Sequence, residues 1–493
     1  VLEYYIKEIR FRGGIYMWWL IFPGLLLVLI IILVVRAILF KPYTITEPVK
    51  NDFELDNEGI MHRFSELIKC KTISDRDTAK VNFAEFEKLH NLIKNFYPNV
   101  FYKCDFEKVL DTGLLFRWPG DKKEEPIVLM SHYDVVPVNE DQWDKPAFEG
   151  IIENNELWGR GTLDTKGTFV GILEAAEFLI KQGYVPKNDI YFSFSGDEEV
   201  AGPTCPAIVE LFSKRNIIPA MVIDEGGAVV EGVFPGVKSQ CALVGIAEKG
   251  ITDIRMTMKS GGGHASAPMP HTILGQLSQA VVNIENNPFK FQLTPPVIKM
   301  FDILGRHSSF IFRIIFANLW CFSPVLNMMC KKSGGELNAL MRTTVAFTMA
   351  SGSNATNVLP PKASFTANLR LLGNDTYDSA MEYLKKKADN DKIEFEIIHG
   401  SNPTIYSSTD CKGWNTLNNS IRQTWPDAIV SPYLMFAASD SRHFCRITDK
   451  VYKFSAMHLT KQERGYIHGN NERISCDAVY DIVKFYIRVI KQS

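Results

Sequence analysis

The chain has 493 residues, too many for one ordinary hydrophobic core; at roughly 100–200 residues per domain it asks for two or three units. Its 54 basic and 56 acidic residues leave a net charge of -2, without the basic excess that a nucleic-acid surface needs, so nucleic acid is excluded as a partner. Nine cysteines, none in a C-x-x-C pair, argue against thiolate metal sites and against a dense disulfide framework.

The first predicted element is "IYMWWLIFPGLLLVLIIILVV", residues 15–35, which carries no charge and matches the ~20 residues that a membrane-spanning helix requires. It reads as an uncleaved anchor within residues 1–40. A signal peptide would have a shorter apolar run and small residues at a cleavage site, and "RAILFKPYT" supplies none; a buried core helix ranks third. Tyr16, Trp18 and Trp19 suit an interfacial belt. Lys7, Arg10 and Arg12 before the span against Arg36 and Lys41 after it favour a cytoplasmic N-terminus, with the rest of the chain extracytoplasmic or lumenal. Phe310 to Phe322 is the one other apolar run, too short to span and interrupted by Arg313.

A polar linker, 41–58, leads into "EGIMHRFSELIKCKTIS" and "VNFAEFEKLHNLIKNFY", both with helical apolar spacing, and then into the strand-like "EPIVLMSHYDVVPV". A helix from Lys166 to Gln182, a strand from Ile190 to Ser195, a helix after Pro206 and a strand "AMVIDEGG" come next. This alternation predicts an open α/β sheet with helices on both faces over 59–250, resuming over 401–493 and closing with a helix from Cys476 to Gln492. Between them, residues 251–400 read as a ferredoxin-like β-α-β-β-α-β unit, a separate lid or dimerisation domain with an apolar insertion near 288–340.

In open α/β sheets the functional groups collect beyond the carboxyl ends of strands. His132, Glu198, Glu199 and Asp224 each stand at such an end. His132 and Asp134 are two apart and share a face, the usual way to orient an imidazole with a carboxylate. Asp164 opens a helix, where it can bridge metals or cap the helix. "GDEE" packs three acids together; a solvated turn is the simple reading, and a divalent cation is what would make such clustering favourable. His468, in "YIHGNNERI", completes a set of histidines and carboxylates suited to zinc.

The motifs "SHYDVVPV", "WGRGTLDTKG", "SGDEEVAG", "VIDEGG", "GGGHASAP" and "IHGNNERI" occur together and in order. With them the chain, from about residue 58 to its end, resembles the aminoacylase, carboxypeptidase S and glutamate carboxypeptidase family of two-zinc hydrolases, most closely its membrane-anchored carboxypeptidase S branch, to which N-fatty-acyl-amino-acid hydrolases are related. The resemblance implies two zinc ions, with cobalt or manganese as substitutes. Asp164 would bridge them, His132 and Asp224 completing one site, Glu199 and His468 the other. It further implies Glu198 as general base, Asp134 as the group that holds His132, a cis peptide between Asp164 and Thr165, and His264 as an oxyanion-stabilising group, often supplied across a homodimer formed by the small domain. Asn357 and Arg370 match substrate-gripping positions, the guanidinium being the natural partner of a free carboxylate. Asp440 and Arg442, in "SDSRHF", match a loop that supports or contacts the site, and Asp197 is left to the turn.

These expectations amount to a zinc-dependent enzyme that cleaves an amide bond next to a free carboxylate, either a carboxypeptidase or dipeptidase or an amidohydrolase/synthase of N-acyl amino acids. An inactive metal-binding scaffold would be expected to lack part of the ligand set. The apolar stretch Phe301 to Met329 reads first as added core or a dimer face, and alternatively as a wall for an acyl chain or a contact with the bilayer.

Overall fold

The computed structural model describes residues 2–44 and 52–493, with the backbone alone for 2–20. Part of the linker expected over 41–58 therefore lies outside the described residues.

An eight-stranded mixed sheet forms the larger unit. Its strands run in the order Asp105–Val109, Gly113–Trp118, Asn188–Ser195, Lys122–His132, Met221–Val230, Val451–Leu459, Cys241–Glu248 and Ile429–Met435. The central strands Asn188–Ser195, Lys122–His132, Met221–Val230 and Val451–Leu459 pair in parallel. Every residue of Asn188–Ser195 is buried, as expected of a strand covered on both faces. One covering layer is the helix Lys166–Lys181, which packs against the C-terminal helix Cys476–Gln492. The two approach so closely at Gly171 that a Cβ there would stand 2.3 Å from Cγ2 of Ile482. Parallel pairing brings the segments 132–134 and 196–200, at the carboxyl ends of their strands, to the same edge as residues 225–227, midway along Met221–Val230 and just past its pairing with Lys122–His132.

The smaller unit has the expected β-α-β-β-α-β order. Its antiparallel sheet runs Thr344–Ser351, Lys362–Leu371, Gly250–Lys259, Glu394–Ser401. Helices Ile273–Glu285 and Tyr377–Ala388 cover one face, burying Ile254, Met256, Leu277, Ile284 and Leu384. Thr376 and Ser379 form a reciprocal capping box at the start of the second helix, each satisfying the other's orphan amide.

The apolar insertion folds as four helices, Pro295–His307, Phe310–Phe316, Leu319–Ser333 and Gly335–Leu340. It packs on the edge of the large sheet: Val297, Met300, Phe301, Leu304 and Phe316 share a core with Phe234, Cys241 and Leu434. The first helix spans Leu2–Leu39, and among the residues whose side chains are described Ile21–Leu39 is long and apolar enough to cross a membrane. All nine cysteines are free.

Gly227 marks where the large sheet is tightest. A Cβ there would lie 1.8 Å from the carbonyl oxygen of Leu243. Backbone cannot yield as a side-chain tip can, so Gly227→Ala is expected to destabilise by about 2–3 kcal/mol, read as a lowered urea midpoint at unchanged m-value.

Candidate metal centre

His132 is the last residue of its strand and is buried; its ring is fixed by the residue two places further along the chain. Nδ1 lies 3.1 Å from the backbone oxygen of Asp134 and 3.3 Å from that residue's Oδ1. An imidazole that donates from Nδ1 presents a lone pair at Nε2. That Nε2 is 3.0 Å from Oδ1 of Asp164 and 3.5 Å from Oε1 of Glu225. The other oxygen of Asp164, Oδ2, is 3.0 Å from Nε2 of His468, which also lies 3.1 Å from Oε2 of Glu199. Asp164 thus turns one oxygen to each histidine. Single ligand atoms of His132, Asp164 and Glu199 lie within 4.8 Å of one another, as do those of His132, Glu198 and Glu225.

Asp134 does more than hold the histidine. Its carboxylate, fully buried, accepts from the amides of Glu198 and Glu199 at 3.2 and 3.1 Å and from Oγ of Ser74 at 2.7 Å, so one side chain ties the His132 segment to the acidic turn. Asp197 staples that turn, accepting from Oγ1 of Thr204 at 2.7 Å, which agrees with its reading as a turn residue. Asp440 is buried and accepts from Oγ of Ser195 at the end of the adjoining strand, and so supports the site from beneath. The Asp164–Thr165 peptide is cis, as expected.

Asp224 is placed away from the two histidines. Adjacent residues of a strand point to opposite faces, and in Met221–Val230 the residue that faces His132 is Glu225. The Asp224 carboxylate points the other way and accepts from the amide of Ser441 at 2.9 Å. "VIDEGG" offers two neighbouring acids, and the sequence pattern alone does not fix their parity.

Glu472 escapes the sequence reading altogether. It is fully buried; its carboxylate accepts from the amides of Gly161, Leu163 and Asp164 at 3.1, 2.8 and 3.2 Å and pairs with Arg160 at 2.7 Å. It therefore clamps the loop that carries Asp164 to the segment that carries His468. The available signal is an acid four residues after His468 within "HGNNERI".

His264, Asn357 and Arg370 stand apart from this cluster. His264 pairs with Val358 in a two-stranded ribbon, is exposed, and accepts at Nδ1 from the amide of Ser266. Asn357, exposed, accepts the Ala265 amide on its backbone oxygen in the same ribbon. Arg370, in the small sheet and half-buried, donates to the carbonyl of Phe436 in the large unit at 3.3 Å. None of the three hydrogen-bonds to the cluster among the described residues.

The electrostatics follow from the crowding of carboxylates around the two histidines. Burial alone would push His132 down, but Glu225, Asp134 and Asp164 outweigh it and hold the imidazole well above its ordinary value. Hydrogen bonds to Asp164 and Glu199 push His468 up to about 10 despite burial. Burial pushes Glu225 up to about 8 against the pull of His132, and pushes Glu198 well up too. The carboxylates therefore favour positive charge at the two histidines. Imidazole nitrogens and carboxylate oxygens are the donors that divalent transition metals accept, so the residues fit a bound metal.

Residues 128–492 match the model of peptidase family M20/M25/M40. The chain belongs to this family. It is 34% identical to a probable carboxypeptidase S-like 2 of Dictyostelium discoideum over 447 residues, 89% of this chain and 86% of that one. It is 32% identical to the N-fatty-acyl-amino acid synthase/hydrolase PM20D1 of Xenopus tropicalis over 480 residues, 94% and 93% of the two chains. The M20 family metallo-carboxypeptidase Sso-CP2 of Sulfolobus solfataricus shares the fold, with a TM-score of 0.62 at 17% identity, covering 87% of this chain and 98% of its own. As a member of this family the chain is an enzyme of the metallopeptidase and amidohydrolase class.

Metal analysis of two isosteric variants tests the strand parity. Glu225→Gln is expected to lose metal or bind it at least about tenfold more weakly, and Asp224→Asn to retain the full content. The reverse pattern would return the ligand role to Asp224.

Proposed function

We propose that the protein is a two-zinc hydrolase that cleaves the amide bond of a substrate bearing a free carboxylate. The observation that carries this reading is the division of Asp164 between His132 and His468, with an acid pair, Glu198 and Glu199, beside them. In this proposal His132 and Glu225 hold one ion, Glu199 and His468 the other, and Asp164 both. Bound zinc supplies Lewis acidity and a water acidified from a pKa of about 15.7 towards 7.

The remaining work falls to the chain's own groups. Glu198 has its amide fixed by Asp134, while its side chain, 4.0 Å from His132 Nε2 at Oε2, is half-buried and its pKa is raised by desolvation. In its ionised form a carboxylate made more basic in this way would take a proton from water and return it to the departing amine, the requirement for a general base that becomes a general acid. Arg370 sits where the small unit meets Phe436 and is assigned the substrate carboxylate, which a guanidinium binds with two parallel hydrogen bonds. Asn357 and His264 share an exposed ribbon and are assigned to a substrate bound across a homodimer, His264 serving the oxyanion of the neighbouring copy.

A specific feature supports the N-acyl amino acid version of this reading over the carboxypeptidase version. A cavity of about 430 Å³ is lined in part by Gly226 and Ile467, the chain neighbours of Glu225 and His468. It continues along Val233, Phe234, Met300 and Leu340. An apolar cavity of this extent suits a long acyl group better than a polar peptide. The helix Ile21–Leu39, with mean hydropathy 2.9, is assigned as the anchor of an extracytoplasmic or lumenal catalytic unit.

Turnover on a panel of dipeptides and of N-acyl amino acids of increasing chain length tests the reading; inactivity on both panels with metal bound would sink it. Glu198→Gln is expected to lower kcat about 10²–10⁴-fold while metal stays bound. Arg370→Met is expected to raise KM with kcat little changed, since its contact is made equally in the ground and transition states.

A further inference from the structure

We propose that the insertion helices Phe310–Phe316 and Leu319–Ser333 form a second membrane contact, seated in the interfacial layer of the same bilayer that holds Ile21–Leu39. The proposal rests on reading Ile21–Leu39 as a span.

The base of the long helix is clamped to the insertion by a set of directional contacts. Arg36 donates from Nε and Nη2 to the carbonyl of Ala317 at 3.2 and 3.0 Å, and Asn318 donates from Nδ2 to the carbonyl of Leu33 at 3.1 Å. Beyond the helix, Phe40 packs into the core that holds Phe301 and Phe316. The Arg306 guanidinium lies 4.4 Å from the Phe40 ring and 4.1 Å from the Tyr43 ring, and it donates to the Lys41 carbonyl at 3.0 Å. Tyr43 donates to Asp302 at 2.8 Å. A helix held at this many points cannot swing freely about its end.

That clamp fixes depth. The uncharged run 15–35 is roughly 31 Å of helix, close to the ~30 Å hydrocarbon core. Leu33 and Arg36 straddle its end at Val35, so Ala317 and Asn318 meet the helix there. With Val35 at the boundary of the hydrocarbon, the corner between the two insertion helices lies at that boundary, level with the headgroups.

The surface presented there has the matching chemistry. Leu326 and Cys330 of Leu319–Ser333 are buried, while Val325, Met328 and Met329, spaced three and four apart, form an exposed apolar stripe. Ile311 is 73% exposed and Trp320 60% exposed. Apolar side chains this open and this close together are unusual on a water-facing surface, and an exposed indole is the residue most suited to the headgroup level. No Asp or Glu occurs between Asp302 and Glu336, whereas Arg306, Arg313, Lys331 and Lys332 do, a charge pattern that complements anionic lipid. The two helices meet at 100°, so they form a wedge that lies in the interface and do not make a second straight span.

Trp320 reports the contact. The full chain and its Trp320→Phe variant are reconstituted in phosphatidylcholine–phosphatidylserine vesicles, and again in the same lipids brominated along the acyl chains. The emission difference between the two proteins isolates Trp320, and bromination is expected to abolish most of it. An unchanged difference in chains that resist alkaline carbonate extraction overturns the docking and leaves the span standing, as would Trp320 shielding that appears only with self-association in detergent. Release of the chain by carbonate overturns the span and, with it, the docking. Because Trp320 is exposed, the substitution leaves the fold intact, which retained zinc content verifies.

Discussion

The whole edge of the large sheet is organised around one carboxylate shared between two imidazoles. Asp164 faces His132 with one oxygen and His468 with the other, each at 3.0 Å. Such an arrangement is costly to assemble, because it draws together groups separated by more than 300 residues of chain, among them a buried imidazole, His132, and its carboxylates. The protein meets that cost through Glu472, whose buried carboxylate takes three amides of the Asp164 loop and the Arg160 guanidinium. A buried acid with every lone pair directed to a donor is rigid, and removing one partner leaves a charge stranded. The bridging geometry is therefore built from the loop backbone outward.

The same logic explains why the acids of "GDEE" can coexist. Asp197 is turned into the turn by Thr204, and Glu198 and Glu199 have their amides drawn to Asp134. Backbone direction separates the side chains before any cation arrives: Glu199 reaches His468, and Glu198 reaches the His132 side. The repulsion visible in the sequence is thereby converted into a preference for positive charge at one location.

Much of this is legible in the sequence. Helix and strand periodicity yields the α/β sheet and the β-α-β-β-α-β unit in their observed order, since long elements with one buried face carry their period openly. His132, Asp164, Glu198, Glu199 and His468 stand in motifs, and they do converge. The rest is hidden for physical reasons. Asp224 and Glu225 differ by one residue in a strand buried on both sides, where no polar alternation reveals which acid faces which way. Glu472 acts through backbone amides, and sequence carries no mark of which amides a carboxylate will find. His264 lies in a ribbon away from the cluster of its own chain, where a role across a dimer, as the resemblance implies, leaves it.

The insertion shows how position in the chain can mislead about position in space. It interrupts the small unit in sequence, yet its apolar side chains pack on Phe234, Cys241 and Leu434 at the edge of the large sheet, and its corner grips the long N-terminal helix. A single stretch thus touches three regions: through Met300 and Leu340 it walls the cavity lined in part by Gly226 and Ile467, through Ala317 and Asn318 it holds the apolar helix, and through Val325 and Met328 it faces outward. Packing is short-ranged, so a rotation of Ile21–Leu39 would be felt first at Phe40 and Phe316, then at Phe301 and Leu304, and from there at the cavity wall. The apolar wall of that cavity and the apolar helix before Phe40 are consequently joined through one packed cluster, which composition alone presents as two unrelated hydrophobic runs.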